Sequence, residues 1–272
     1  YKGEKFAAIS SAKATNEENY LIQKFTRSVM GTNNVDHCAR LCHAPTVAGL
    51  VQSFGSAAMT NSISEIGNAK CILAIGTNTT SGHPIIGLEV KRAVRAGAKL
   101  IVANPREIDL CNFATIWLRH RPGSDVALLM GMMRVIVDEG LLDSSFIAER
   151  CENFDQFRDS LKAFDLDRVE QITGVPQDKI AEAARLYAQN KPASILYAMG
   201  ITQHSHGTDN AIATANLAML TGNMGKPSSG VNPLRGQNNV QGACDMGALP
   251  NVYPGYQSIA DANIRAKFEK AW

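Results

Sequence analysis

The sequence predicts an α/β fold with a parallel-sheet, dinucleotide-binding-like domain. Three observations lead there. Short apolar runs such as Cys71–Ile75 and residues 100–103 alternate with longer stretches of helical periodicity. Glycines punctuate these segments, at Gly76, Gly97, Gly200 and Gly222. The spacing between runs suits right-handed crossovers, which make the neighbouring strands parallel.

The elements follow in order. Thr15-Asn16-Glu17-Glu18 is a capping-box pattern that starts a helix ending near Gly31. Pro45 suits the first turn of a second helix through Val47, Leu50 and Val51. The strand 71–75 is followed by the polar loop 76–83. A helix from Pro84 then carries Ile86, Val90, Ala93 and Val94 on one face. Residues 100–103 form the next strand and 116–118 a third. The turn Pro122-Gly123-Ser124 leads into a helix with Val126, Leu129, Met130 and Met133 inward. Helices continue to Tyr187, whose last stripe is Ile180, Ala183, Ala184 and Tyr187. A strand at 194–198 and a helix with Ile212, Ala215, Met219 and Leu220 come next. From Gly225 to Gly255 the chain is rich in Gly, Pro and Asn and reads as loop. In such sheets ligands bind beyond the carboxyl ends of the strands. The candidate loops are therefore 76–83, 104–106, 121–125 and 199–206.

Composition limits the function classes. The chain has 272 residues, 45% hydrophobic and 19% charged, with 27 basic against 25 acidic residues for a net +2. That balance argues against an extended nucleic-acid surface or a polybasic membrane anchor. The longest apolar run, 126–137, is broken by Gly131 and Arg134 and is too short to span a bilayer. The six cysteines are scattered and do not look like a disulfide framework. Cys71 and Cys111 lie in apolar runs as core thiols, and a reducing cytoplasm is the simpler compartment. The chain opens on Tyr1 rather than Met and stops inside a helix-like run. It reads as a piece of a larger protein, whose targeting signal could have been lost.

Two segments carry the chemistry. In Cys38-Ala39-Arg40-Leu41-Cys42-His43 a thiol stands beside an imidazole just before a helix start: a pair that can serve as a soft metal ligand next to a proton acceptor, or a plain buried cysteine next to a surface histidine. A zinc knuckle from His37, Cys38, Cys42 and His43 lacks the second cysteine pair it needs. Downstream, Asn232 to Gln241 is dense in amides around Arg235, which could clamp a carboxylate or form a salt bridge on the surface. The loop from Gly76 is not a GxGxxG fingerprint, but its hydroxyls and amides suit a polar ligand as well as an ordinary strand–helix turn. Arg106 could pair with a phosphate or be a surface arginine. Ser124 and Asp125 could cap a helix, or Asp125 could accept from a guanine edge.

With those residues in place, the sequence resembles the catalytic subunit of molybdenum- or tungsten-dependent formate dehydrogenases, in the bis-molybdopterin oxidoreductase superfamily. The matching runs are 38–43, 200–203, 219–223 and 231–249, the last of which includes Gly236-Gln237-Asn238-Asn239-Val240-Gln241-Gly242-Ala243-Cys244-Asp245-Met246-Gly247. The resemblance implies that Cys42 ligates the metal, at a position filled by selenocysteine in many relatives. It implies that His43 handles a proton, that Arg235 orients formate and that Gln237 lies near the pterin. It also implies contacts from Gly76, Asn78, Asn104, Arg106, Ser124, Asp125, Gly200 and Gln203 to one of two molybdopterin guanine dinucleotides; Asn104 stands where members often carry aspartate. The resemblance also implies the domains: 38–237 as one α/β domain, with 1–37 and 238–272 as two parts of a second α/β domain. The family's four-cysteine motif for a 4Fe–4S cluster, and the C-terminal domain completing the second pterin site, are not in this sequence. The chain alone is therefore expected not to turn over. Formate and carbon dioxide would be the reactants, by hydride transfer or proton abstraction. Electrons would leave to iron–sulfur, NAD-linked, ferredoxin-linked or hydrogenase partners. The alternatives are a relative acting on another substrate such as nitrate, or a non-catalytic nucleotide-binding module.

Overall fold

Thr15 caps the first helix as its spacing predicts. Thr15 Oγ1 accepts from the Glu18 amide at 3.2 Å and the Glu18 carboxylate accepts from the Thr15 amide at 2.7 Å, at the head of Asn16–Lys24. The helix loosens into a π-turn over Phe25–Val29 and stops at Met30. It lies in sequence between two parallel strands, β1 (Ala8–Ser10) and β2 (Val35–His37). The structure, a computed structural model, describes residues 3–272, with Glu4 as backbone only.

These N-terminal elements join the C-terminal stretch. One compact unit comprises the chain up to Ala44 together with Gly236–Trp272; the other is Pro45–Arg235. The sequence suggests divisions at 37/38 and 237/238. The units instead divide at 44/45 and 235/236, because the turn beyond Cys38 packs its Ala39 with Ala12 and Val240. Cys42 and His43 thus go with the discontinuous unit. Arg27 ties that unit's halves, donating to the carbonyls of Gly247, Leu249 and Val252 at 2.9, 2.7 and 2.8 Å.

The second unit is built on a five-stranded parallel sheet. Its strands are β3 (Cys71–Ile75), β4 (Lys99–Ala103), β5 (Ile116–Leu118), β6 (Ala193–Tyr197) and β7 (Gly230–Pro233), in spatial order β5-β4-β3-β6-β7. Alternate residues feed two cores, as the pleat dictates. Leu73, Ile75, Ile101, Ile195 and Tyr197 pack with Leu128, Met132, Met133, Ala184 and Leu217 on one face. Ile72, Ala74, Leu100, Val102 and Leu196 pack with Ile86, Val90 and Ala93 on the other. Both faces are covered, so β3 and β6 are buried end to end. Cys71 is inert core, its thiol pushed up to about 12 by burial. Cys111 departs from expectation: it is half-buried in the 3₁₀ turn Asp109–Phe113, its sulfur accepting from the Ile108 amide.

The region read as loop after Gly225 contains β7. Its Asn232 side chain donates to Ser194 Oγ at 2.9 Å, and Pro233 is tolerated because β7 is an edge strand. No helix among the described residues is long and apolar enough to cross a membrane.

Candidate functional site: a crevice at the sheet's switch point and a buried thiol turn

The sheet order fixes where a ligand can enter. The chain runs from β3 outward to β4 and β5, then returns to place β6 on the opposite side of β3. The loops leaving β3 and β6 therefore diverge, which opens a crevice at their carboxyl ends. At its floor two glycines touch. The Gly200 amide donates to the Gly76 carbonyl at 3.0 Å. Gly76 has φ +57°, and a Cβ there would fall 2.7 Å from the Gly200 carbonyl carbon. A Cβ on Gly200 would fall 2.6 Å from Gly76 Cα, so a side chain at either position would wedge the loops apart.

All four loops expected from the sequence meet here. The crevice is lined by Gly76, Thr77 and Asn78, by Asn104 and Pro105, by Pro122, Gly123 and Asp125, and by Gly200 and His204, with His120 beneath. Asn104 braces two of the loops: Nδ2 donates to the Thr77 carbonyl at 3.4 Å and Oδ1 accepts from the Arg106 amide at 3.0 Å. Of the remaining sequence candidates, Arg106 and Gln203 are exposed. Ser124 is buried, and its Oγ donates to the Arg121 carbonyl at 2.7 Å; it does not line the crevice.

The loop after β3 carries a set of unsatisfied polar atoms. Thr77 Oγ1, Asn78 Oδ1, Thr79 Oγ1 and His83 Nδ1 are buried without a hydrogen-bond partner. His83 Nε2 lies 3.1 Å from the Arg235 carbonyl, so it carries the proton and Nδ1 keeps a lone pair. Each such group costs about 1–3 kcal/mol when left unpaired. Two of the four residues, Thr77 and Asn78, line the crevice and fit a polar ligand that supplies both an acceptor and a donor. The Thr77 hydroxyl suits a phosphate oxygen, and the Asn78 side-chain oxygen suits a ligand N–H or O–H group. A nucleotide bearing phosphate and base fits this donor set. Nothing but their place in the loop distinguished Thr77, Thr79 and His83 in the sequence. His120 gave no signal at all, being one histidine after a strand.

The thiol segment lies in the discontinuous unit. His37 caps the 3₁₀ turn Cys38–Arg40, its Nδ1 accepting from the Ala39 amide at 3.3 Å, while Nε2 lies 3.4 Å from Cys244 Sγ. Burial holds the His37 imidazole below its ordinary pKa, with Asp36 pushing partly back, which matches a neutral ring that donates from Nε2 and accepts at Nδ1. The turn delivers Cys42 and His43, both 3% exposed, to the start of the helix Ala44–Phe54. Cys42 Sγ donates to Gln237 Oε1 at 3.6 Å. Among the described residues no three His, Cys, Asp or Glu side chains converge as a metal cage. In the sheet unit, Arg235 is half-buried and donates from Nη2 to the Ala57 carbonyl at 3.2 Å.

The chain is similar to known proteins along its whole length. The family model for molybdopterin oxidoreductases matches residues 1–272. The chain is 51% identical over 272 residues to the F420-dependent formate dehydrogenase 1 subunit alpha of Methanococcus maripaludis, covering 100% of this chain and 40% of that one. It is 51% identical over 263 residues to formate dehydrogenase H of Escherichia coli, covering 97% and 37%. It thus spans about 40% of the length of these relatives. Among solved structures, acetylene hydratase from Pelobacter acetylenicus superposes with TM-score 0.70 at 28% identity, over 80% of this chain and 30% of that one. With the match running from end to end and half the residues shared with curated members, the chain belongs to the molybdopterin oxidoreductase family.

Proposed function

We propose that the chain is part of the catalytic subunit of a formate dehydrogenase, which oxidises formate to carbon dioxide reversibly. The observation that carries this reading is the 51% identity to a formate dehydrogenase alpha subunit along all 272 residues. The fold alone would not choose it, since an acetylene hydratase shares the fold and one fold hosts many chemistries. The cofactor we infer is molybdenum or tungsten held by two molybdopterin guanine dinucleotides, with a 4Fe–4S cluster elsewhere in the full protein. That group, when bound, takes the two electrons from formate.

The chain's own residues would do the rest. Cys42, buried and at hydrogen-bond distance from Gln237, would give its proton up and bind the metal as thiolate. Arg235 would hold the formate carboxylate by two parallel hydrogen bonds and so orient its C–H. Arg235 stands two residues before Gln237 in the sequence, and its carbonyl is held by His83. His43 would take the proton, its burial keeping bulk water from competing. The crevice would seat one guanine dinucleotide: Thr77 toward phosphate, with Asn78, Asn104, Asp125, Gly76 and Gly200 around the nucleoside. Electrons would pass on to an iron–sulfur, NAD-, ferredoxin- or hydrogenase-linked partner. We place the enzyme in the cytoplasm, where its thiols stay reduced.

The test is Cys42→Ser in the full-length enzyme, assayed for formate oxidation with an artificial acceptor. Replacing a soft ligand by a hard one is expected to cost at least about 100-fold, the upper end of what losing even an outer-shell partner costs. Near-normal turnover with normal metal content would remove Cys42 from the metal and the reading with it.

A further inference from the structure

Among the described residues lining the crevice, Asp125 is the only acid, and a histidine outside every recognised motif controls how it sits. His120 Nε2 lies 2.9 Å from Asp125 Oδ1, and both side chains are 2% exposed. The other imidazole nitrogen is 3.5 Å from the Leu118 carbonyl, so the ring is held between the end of β5 and the carboxylate. On the far side, His204 Nε2 bonds the Gly200 carbonyl at 2.8 Å and stays 3.8 Å from Asp125 Oδ2, beyond hydrogen-bond reach. The carboxylate is thus gripped at one oxygen while Oδ2 is left for a ligand. A carboxyl group otherwise turns broadly about its last torsion. A carboxylate also has about four lone-pair sites, of which His120 takes one.

We propose that His120 is a positioning residue for base recognition: by donating to Asp125 Oδ1 it fixes the plane of the carboxylate, so that both oxygens meet two adjacent N–H donors of a guanine edge. The inference rests on the crevice being the guanine-nucleotide site proposed above. A carboxylate held in plane distinguishes guanine, with its ring N–H and exocyclic amine, from hypoxanthine, which lacks the amine. A carboxylate free to turn makes the same contacts less often and discriminates less.

The experiment uses cofactor-free full-length protein and compares the affinities of GMP and IMP by calorimetry. The unchanged protein is expected to favour GMP by roughly tenfold or more, the factor that one charge-assisted hydrogen bond supplies. Asp125→Asn should abolish the preference. His120→Met, of similar bulk but without a donor, should lose most of it, and His120→Gln, whose amide donates again, should recover it. The recovery separates positioning from packing, because a purely structural role would not return with the donor. A wild-type GMP:IMP ratio in His120→Met beside a lost one in Asp125→Asn overturns the role of His120 and leaves the nucleotide site standing. Equal affinities in the unchanged protein overturn both.

Discussion

The two units are held together by different physics. The sheet unit buries aliphatic side chains on both faces of β3, β4 and β6, from Leu73 and Ile195 on one side to Ile72 and Val102 on the other. The discontinuous unit has a small apolar cluster of Ala12, Ala39 and Val240, with Cys38 and Cys244 against it, and an aromatic group of Tyr20, Tyr253, Phe268 and Trp272. Polar bonds join its two distant chain segments. Arg27 reaches three carbonyls between Gly247 and Val252, and the Asn239 amide and side chain donate to the Ala12 and Ala14 carbonyls at 2.9 and 2.8 Å. Burial draws the half-buried Arg27 guanidinium down to about 10. An aliphatic core is redundant, because many neighbours share the loss of one methyl. A polar staple is not, because removing it strands its partners. The crevice at the strand ends stands on the redundant unit and the Cys42 turn on the stapled one.

Arg27→Met is the strongest way to break this comparison. It strands three carbonyls at a cost of about 1–3 kcal/mol each, so a loss above roughly 3 kcal/mol is expected. Hydrogen exchange in the full-length protein should speed up in peptides covering residues 8–37 and 247–258, with β3 and β6 unchanged. Uniform acceleration across both units would mean that they are not separately held. Ile195→Val is the matching change in the sheet unit. It removes one methyl from a side chain buried among Leu73, Tyr197 and Val231, and should cost only about 0.5–1.5 kcal/mol. If its melting shift equals that of Arg27→Met, the redundancy argument fails.

The same contrast explains what the sequence revealed. The strands β3, β4, β5 and β6 and the helices Pro84–Arg95 and Asp125–Asp138 were legible because burial on a sheet leaves apolar runs and helical stripes. The four loops at the strand ends followed from topology alone, and they meet in one crevice. β7 was not legible: Gly230-Val231-Asn232-Pro233 has strand geometry but a loop's composition, and its Asn232 is satisfied by Ser194, a partner distant in sequence. The helix Val240–Asp245 was hidden for the same reason. Cys42 and Arg235 stood out by residue type and neighbours, whereas His120 did not. Its role depends on Asp125 standing 2.9 Å away, which no periodicity encodes.

The smallest effect concerns a polar tie inside the apolar unit, where the comparison predicts modest consequences. Glu65 accepts from the Ser62 amide at 3.0 Å and from Ser62 Oγ at 2.9 Å, and on its other oxygen from Asn61 Nδ2 at 2.9 Å and the Ser228 amide at 2.8 Å. These bonds, the Ser62 amide first, lower its pKa from 4.5 to about 2. A carboxylate whose folded pKa lies below its unfolded one contributes stability that is complete above the unfolded value. That contribution fades as pH falls from about 4.5 towards 2, through the folded value. Melting temperatures of the unchanged protein and of Glu65→Gln should therefore differ near neutrality and converge as pH drops through this window. The gap at neutrality should stay well below that of Arg27→Met, because Glu65 braces an exposed turn against the approach to the edge strand β7 rather than two halves of a unit. Curves that run parallel down to about pH 2 would show that the four bonds do not favour the ionised form in the folded protein. A gap as large as that of Arg27→Met would show that the sheet unit, too, depends on a single polar staple.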